Sequence, residues 1–129
     1  MPRILVIDDA EDILEIIKLD LEDDPSCTVD CCNTSKAALN LVQAHFYDVI
    51  VADWRMPVLN GTALTKALRA AGCTSFIIIY SGKTMGPEIR EALDSGADYY
   101  VNRCGDPDRE FAEIKAVIRK HTARDGKTD

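Results

Sequence analysis

The sequence predicts an α/β domain in which a five-stranded parallel sheet is covered by helices on both faces. Five short apolar or alternating segments are separated by five segments whose apolar residues recur at helical spacing. Three of the short segments, 4–7, 49–52 and 76–80, are continuously apolar, as strands are when both faces of a sheet are covered. Strict alternation of strands and helices implies parallel strands joined by right-handed crossovers.

The first two strand-helix repeats are read from spacing and capping signals. Residues 3–8 are predicted as the first strand. The helix predicted over 11–22 has its apolar residues at helical spacing: Ile13, Leu14, Ile17 and Leu21. Residues 27–31 alternate as the second strand, after which Thr34 or Ser35 can cap a helix by accepting a hydrogen bond from a free backbone N–H. The apolar residues of that second helix are Ala38, Leu41 and Val42.

The middle of the chain contains two continuously apolar strands. Residues 49–52 form the third strand, and the Pro and Asn-Gly signals of 56–61 indicate a loop. A third helix follows and ends at Gly72; its apolar residues are Leu64, Ala67, Leu68 and Ala71. Because residues 76–80 are entirely apolar, we expect them to form a central strand.

In the last two repeats, the fifth helix has clearer sequence signals than the fourth. Residues 87–95 predict a fourth helix that ends at Gly96, and 98–101 predict the fifth strand. The fifth helix has Asp106 as a favourable N-cap and Pro107 at its first position. Its apolar stripe consists of Phe111, Ile114, Val117 and Ile118.

The composition fits one small domain. We expect the domain to cover residues 1–122, with a polar tail or the start of a linker at 123–129. No apolar stretch approaches the roughly 20 residues of a membrane span and no signal peptide is visible, so we expect a cytoplasmic protein. The net charge of -7 argues against direct binding of nucleic acid, whose phosphates are contacted mainly by clustered Lys and Arg. The cysteines lack a C-x-x-C pair and are interpreted as reduced thiols.

Three aspartates follow two of the apolar strands. Asp8 and Asp9 come directly after the first strand, and Asp53 follows the third. Ligands of open α/β sheets bind at the carboxyl ends of the strands. Carboxylates crowded at that edge repel one another unless a hard cation such as Mg²⁺ joins them. The pattern therefore predicts a metal-dependent acidic site.

Four short segments, in this order, resemble the receiver domain of response regulators, the chemotaxis-regulator-like module of two-component signalling. They are LVIDD at 5–9, DWRMP at 53–57 with NG at 60–61, YSG at 80–82 and GADYY at 96–100. The resemblance implies a flavodoxin-like sheet with strand order 2-1-3-4-5. It also implies a sensor histidine kinase or phosphotransfer protein as partner, and no enzymatic activity beyond the domain's own phosphorylation and dephosphorylation.

The resemblance implies roles for the acidic residues. Asp53 matches the phosphoacceptor, which becomes an acyl phosphate. Asp8 and Asp9 match the pair that holds Mg²⁺. Asp53 itself and the backbone carbonyl of Arg55 complete the implied set of protein ligands. Phosphoryl transfer depends on positioning and charge neutralisation, which is consistent with these roles.

The resemblance also implies a switch. Ser81 matches the switch hydroxyl, which is drawn toward a new phosphoryl group, and Tyr100 matches the switch aromatic. The implied output surface consists of the fourth helix, fifth strand and fifth helix, through which a homodimer could form.

One part of the pattern departs from the family. Arg103 stands where the family has lysine, and Cys104 stands where proline usually follows. Arg103 keeps the positive charge, but a planar guanidinium is not interchangeable with an ammonium group at a packed site. Arg55 and Lys83 are two further bases that could lie near the acidic residues or face solvent.

Other classes of protein fit less well. A flavodoxin-like cofactor binder would cradle phosphate after the first strand, where several acids would repel it. A phosphatase with an aspartyl nucleophile would normally have a second carboxylate two residues later, where Arg55 stands. The alternative within the fold is a pseudo-receiver, a protein-binding module that is not phosphorylated. In it Arg55, Lys83 or Arg103 would neutralise the acidic residues in place of metal.

Overall fold

The computed structural model describes residues 2–56, 58–82 and 86–127, with side chains described as far as Thr122. Its elements, in chain order, are β1 (Arg3–Ile7), α1 (Glu11–Leu21), β2 (Thr28–Cys32), α2 (Ser35–Ala44), β3 (Val49–Ala52), α3 (Gly61–Ala70), β4 (Phe76–Ser81), α4 (Gly86–Asp94), β5 (Tyr99–Asn102) and α5 (Pro107–Lys127). Each predicted strand and helix is present, with small offsets at the ends. The main difference is that α5 continues through 123–127, because no proline interrupts its backbone hydrogen bonding there. No helix within these ranges is long and apolar enough to cross a membrane.

The sheet has the predicted topology. All four strand pairings are parallel, and the strand order is β2-β1-β3-β4-β5. Ile7 at the end of β1 pairs with Ala52 at the end of β3. The residues that follow these strands, Asp8 and Asp53, therefore leave the sheet at the same edge.

Successive residues of the central strands enter two different cores. The core beneath α1 and α5 includes Ile4, Val6, Val51, Ile78, Tyr80, Ile17 and Ile114. The core beneath α2, α3 and α4 includes Leu5, Ile7, Ile50, Ile77, Ile79, Leu64, Leu68 and Ala92. Burial on both faces explains why the central strands are continuously apolar.

Helix starts follow the predicted capping chemistry. The Thr34 hydroxyl accepts a hydrogen bond from the Ala37 N–H at 3.1 Å, so Thr34 rather than Ser35 caps α2. Asp106 accepts from the Arg109 N–H at 3.3 Å, immediately before α5 begins at Pro107. Each cap satisfies a backbone donor that has no partner within the helix.

Arg69 joins three segments at the edge of the sheet opposite the acidic residues. Its guanidinium donates to the carbonyls of Cys73, Ser75 and Gly96 at 2.7–3.1 Å and to the Asp98 carboxylate at 3.0 Å. Gly96 has φ +122°, and a Cβ there would lie 2.9 Å from Arg69 Cγ. The close approach of Arg69 therefore requires glycine at position 96.

We expect Arg69→Met to lower the free energy of unfolding by about 2–3 kcal/mol, because three carbonyls and a carboxylate would lose their hydrogen bonds from Arg69. Urea unfolding followed by circular dichroism would measure the change. Lys66→Met, an exposed cation on the same helix, is the matched control. Equal stability of the two variants would show that the Arg69 hydrogen bonds contribute little.

Candidate functional site

The structure brings the three predicted acids together. One carboxylate oxygen from each of Asp8, Asp9 and Asp53 lies within 4.8 Å of the others. Asp8 is 2% exposed and Asp53 is 8% exposed, whereas Asp9 is exposed to solvent. The group is therefore open on one side and enclosed by the sheet edge on the other.

Backbone hydrogen bonds fix the two buried carboxylates. The Asp53 N–H donates to the Ile7 carbonyl at 3.0 Å, which extends the β1–β3 pairing to the site. Asp8 Oδ1 accepts from the Ala10 N–H at 2.9 Å, and Asp53 Oδ1 accepts from the Arg55 N–H at 3.2 Å. Each carboxylate thus keeps its Oδ2 for other partners.

The donor set fits Mg²⁺. Mg²⁺ prefers hard oxygen ligands at about 2.0–2.1 Å, so two ligands on opposite sides of the ion are about 4 Å apart. The separations among Asp8, Asp9 and Asp53 allow this with small side-chain movements. The backbone carbonyl of Arg55 stays a predicted ligand.

Arg103 folds inward onto Asp8. Its Nη2 lies 3.0 Å from Asp8 Oδ2 and 3.3 Å from the Tyr80 carbonyl oxygen. The guanidinium carbon lies 4.2 Å from the centre of the Tyr80 ring. Arg103 therefore occupies one oxygen of a predicted metal ligand and places a permanent positive charge in the acidic group.

Burial and neighbouring charges compete at Asp8. Desolvation raises the pKa of its carboxyl group, and the negative charge of Asp53 adds to that rise. Hydrogen bonds from the Ala10 N–H and from Arg103 oppose it without cancelling it. A buried carboxylate in this position gains from any cation that can reach it.

The predicted switch residues lie next to each other at the end of β4. Ser81 is buried, and its carbonyl accepts a hydrogen bond from the half-buried Tyr100 hydroxyl at 2.7 Å. The Arg55 Nε lies 3.4 Å from the Gly82 carbonyl, so the exposed Arg55 side chain reaches the β4–α4 segment. Lys83 lies outside the described residues.

Glu110 and Tyr80 form a buried polar pair beside Arg103. This pair is not predicted by the sequence analysis. Glu110 Oε1 accepts from the Tyr80 hydroxyl at 2.6 Å. Glu110 Oε2 accepts from three successive backbone N–H groups, those of Cys104, Gly105 and Asp106, at 2.7–3.0 Å. A tyrosine at the end of an apolar run and a glutamate in the first turn of α5 are the signals that could have revealed it.

The hydrogen bonds of Glu110 determine its ionisation. Burial alone would raise the pKa of the carboxyl group, but the Tyr80 hydroxyl and the backbone N–H groups of Cys104 and Asp106 outweigh burial and lower the pKa to about 2. Burial and the bond to Glu110 raise the pKa of the Tyr80 hydroxyl, which keeps it a donor. The pair is therefore a carboxylate and a neutral phenol at neutral pH.

We expect Glu110→Gln to lower the free energy of unfolding by about 3 kcal/mol at pH 7. Because the folded pKa lies below the unfolded value of 4.5, this stabilisation is present above pH 4.5 and is lost as the pH falls toward 2. Urea unfolding at a series of pH values would therefore show the native and Glu110→Gln proteins converging in acid. The exposed Asp108→Asn variant is the control, and a gap that does not narrow in acid would contradict this account.

Comparisons with known proteins agree with this geometry. The family model for the response regulator receiver domain matches residues 4–115. Response regulator ArlR of Staphylococcus epidermidis is 31% identical over 125 residues, which cover 97% of this chain and 56% of that protein. Response regulator ArlR of Staphylococcus aureus strain COL is 27% identical with the same coverage. The chain thus spans little more than half the length of these curated relatives.

Solved structures give the same result. The Francisella response regulator 1452 receiver domain is 31% identical, with a TM-score of 0.84 and coverage of 96% of this chain and 98% of that one. A response regulator receiver domain protein from Clostridium thermocellum, 24% identical, shares the fold over the full length of both chains with a TM-score of 0.85. With the family match spanning most of the sequence, the chain belongs to the response regulator receiver domains of two-component systems.

Proposed function

We propose that Asp53 accepts a phosphoryl group from a histidine kinase or phosphotransfer protein in a Mg²⁺-dependent reaction. The observation that supports this most is the convergence of Asp8, Asp9 and Asp53 within 4.8 Å, with the Arg103 guanidinium beside them. Three carboxylates and a guanidinium at the open edge of a rigid sheet can position a phosphoryl group and neutralise its charge. The domain catalyses this reaction only on itself.

The chemistry assigns one oxygen of Asp53 as the nucleophile. Since Oδ1 accepts the Arg55 N–H, we assign attack on phosphorus to Oδ2. The new O–P bond forms as the N–P bond to the donor histidine breaks, and the electron pair of that bond returns to the imidazole. Mg²⁺ held by Asp8, Asp9 and Asp53 would neutralise charge on the transferred oxygens.

Two further residues are the proposed partners of the product. A phosphoryl group adds about -1.5 to -2 charges and three strong acceptor oxygens. Arg103 can share its donors between Asp8 and those oxygens, because the guanidinium has five N–H groups. The Ser81 hydroxyl, at the end of the neighbouring strand, is the proposed switch donor.

The route to the proposed output surface begins at the Ser81 carbonyl. Tyr100 on β5 donates to that carbonyl, so a movement of Ser81 toward a phosphoryl group changes or breaks the hydrogen bond. We propose the surface of α4, β5 and α5 as the region that responds and through which a second copy of the domain binds.

One observation favours the pseudo-receiver alternative. Arg103 already forms an ion pair with Asp8, and this pair supplies positive charge without metal. A site neutralised in this way could bind proteins without turning over phosphate. In a phosphoacceptor, metal and the phosphoryl group displace Arg103 from Asp8 or bind beside it. In a pseudo-receiver, Arg103 keeps its place and neither of them binds.

Phosphorylation with a small donor tests the proposal. The native protein incubated with acetyl phosphate and Mg²⁺ is expected to gain one phosphoryl group by intact-mass measurement, and EDTA is expected to prevent the gain. Phosphoramidate provides a second donor of different size. If the folded protein gains no phosphoryl group from either donor at saturating Mg²⁺, the pseudo-receiver function replaces the one proposed.

A further inference from the structure

Tyr80 is placed between the acidic site and α5. It is 3% exposed, and its ring packs in an edge arrangement against Phe111 of α5, with ring centres 6.0 Å apart. The Arg103 guanidinium also lies over the Tyr80 ring, and the Tyr80 carbonyl accepts from Arg103 Nη2. Arg103 thus contacts both the ring and the backbone of one residue.

Glu110 determines where the Tyr80 hydroxyl and the Arg103 loop lie. The same carboxylate binds the phenol and the three successive N–H groups that follow Arg103 in the chain. Gly105 has φ +102°, a conformation that suits glycine and lets these N–H groups converge. Because Cys104 occupies the proline position, φ there is not locked by a ring, and the bonds to Glu110 constrain the loop instead.

Arg103 requires such a constraint. A long side chain loses much of its rotamer entropy when it is held in one place. Its Nε is buried without a hydrogen-bond partner among the described residues, which adds a desolvation cost. The bond from the Tyr80 hydroxyl to a carboxylate enriches the ring in electrons, which strengthens its attraction for a guanidinium.

We propose that Tyr80 and Glu110 are positioning residues that hold Arg103 against the acidic site. Glu110 orients the Tyr80 ring and the loop after Arg103, and the ring holds the guanidinium within reach of Asp8 and of a phosphoryl group on Asp53. The role of Arg103 toward a phosphoryl group on Asp53 rests on the proposed function. The orientation of Arg103 by Tyr80 and Glu110 does not, and it can be tested without phosphorylation.

The geometric test follows the motion of the Arg103 side chain by NMR. The heteronuclear NOE of the Arg103 Nε–Hε group is expected to report a rigid side chain in the native protein, because that group is buried. Glu110→Gln and Tyr80→Leu are expected to make it mobile. Tyr47→Leu is the matched control. Tyr47 is also buried, its hydroxyl donates to the Asp30 carboxylate, and the Arg3 guanidinium lies over its ring. An equally rigid Arg103 in all of these proteins would overturn the proposal.

The kinetic test asks whether Tyr80 acts through Arg103. Tyr80→Leu is expected to slow phosphorylation by acetyl phosphate about tenfold, and Tyr80→Phe less, because Phe keeps the ring. In an Arg103→Ala background the same Tyr80 substitutions are expected to have almost no further effect, and Tyr47→Leu is expected to have none in either background. If the Tyr80 substitutions slow phosphorylation by the same factor in both backgrounds, Tyr80 has a general structural role and the proposal is overturned.

The two tests separate the possible failures. If Tyr80→Leu does not fold, Tyr80→Phe keeps the core volume and serves in its place. If the native protein takes no phosphoryl group, the proposed function fails, but the NMR measurement still decides whether Tyr80 and Glu110 position Arg103. If phosphorylation is normal and Arg103 stays rigid in every variant, only the positioning proposal fails.

Discussion

Asp53→Asn is expected to abolish phosphorylation of the protein by acetyl phosphate and by a cognate kinase. An amide oxygen is a poor nucleophile, whereas the neighbouring acids stay in place to hold Mg²⁺. Asn can still accept the Arg55 N–H through its carbonyl oxygen, so the backbone of the site should not change. Intact-mass measurement after incubation with donor and Mg²⁺ is expected to show no phosphorylated species.

The control for this result removes the same charge from a nearby exposed position. Asp12→Asn lies in the first turn of α1 and is expected to be phosphorylated like the native protein. Asp53→Asn removes the like-charge repulsion between Asp53 and Asp8 but also the attraction between Asp53 and Arg103, so we expect its stability to stay close to that of the native protein. A stable Asp53→Asn protein that still gains one phosphoryl group would show that Asp53 is not the acceptor.

Removing Arg103 is expected to make the domain depend on Mg²⁺ for stability. The Asp8 side chain is 3% exposed, and Arg103→Ala leaves it without its counter-charge, at a cost of about 2–3 kcal/mol. Mg²⁺ can replace that charge, and it no longer meets a guanidinium at Asp8 Oδ2. We therefore expect the Mg²⁺ dissociation constant to fall about tenfold in the variant.

Two readouts measure this effect at constant ionic strength. Trp54 follows Asp53 in the chain, and its indole is held by a hydrogen bond to Thr62 at 3.1 Å, so its fluorescence can report the arrival of a cation. Thermal unfolding with and without Mg²⁺ should show a larger gain for Arg103→Ala than for the native protein. Arg109→Ala, an exposed arginine on α5, is the control, and equal Mg²⁺ affinities in all three proteins would contradict the prediction.

The same titration distinguishes the two functions. Saturable Mg²⁺ binding by the native protein supports the phosphoacceptor, in which metal and Arg103 share the acidic group. If only Arg103→Ala binds Mg²⁺, the ion pair takes the place of metal in the native protein and the pseudo-receiver is favoured. Both outcomes depend on the 3.0 Å contact between Arg103 and Asp8.

The fold could be predicted because its signals are local. A strand covered on both faces requires a run of apolar residues whatever its neighbours are, and helix starts such as those after Thr34 and Asp106 depend on a single side chain. The Arg69 contacts could not be predicted in this way. Its partners lie in the α3–β4 and α4–β5 connections, and arginine at a helix end is equally compatible with solvent exposure.

The sequence by itself determined the alternating α/β architecture and the placement of Asp8, Asp9 and Asp53 at one edge of the sheet. Both follow from where apolar runs end in charge, since parallel strands share their carboxyl edge. Only the tertiary structure decided that Arg103 folds inward, because its partner Asp8 is 95 positions away and no local pattern relates the two. The Tyr80–Glu110 pair likewise joins residues 30 positions apart, and packing of α5 against β4 brings them within hydrogen-bond distance.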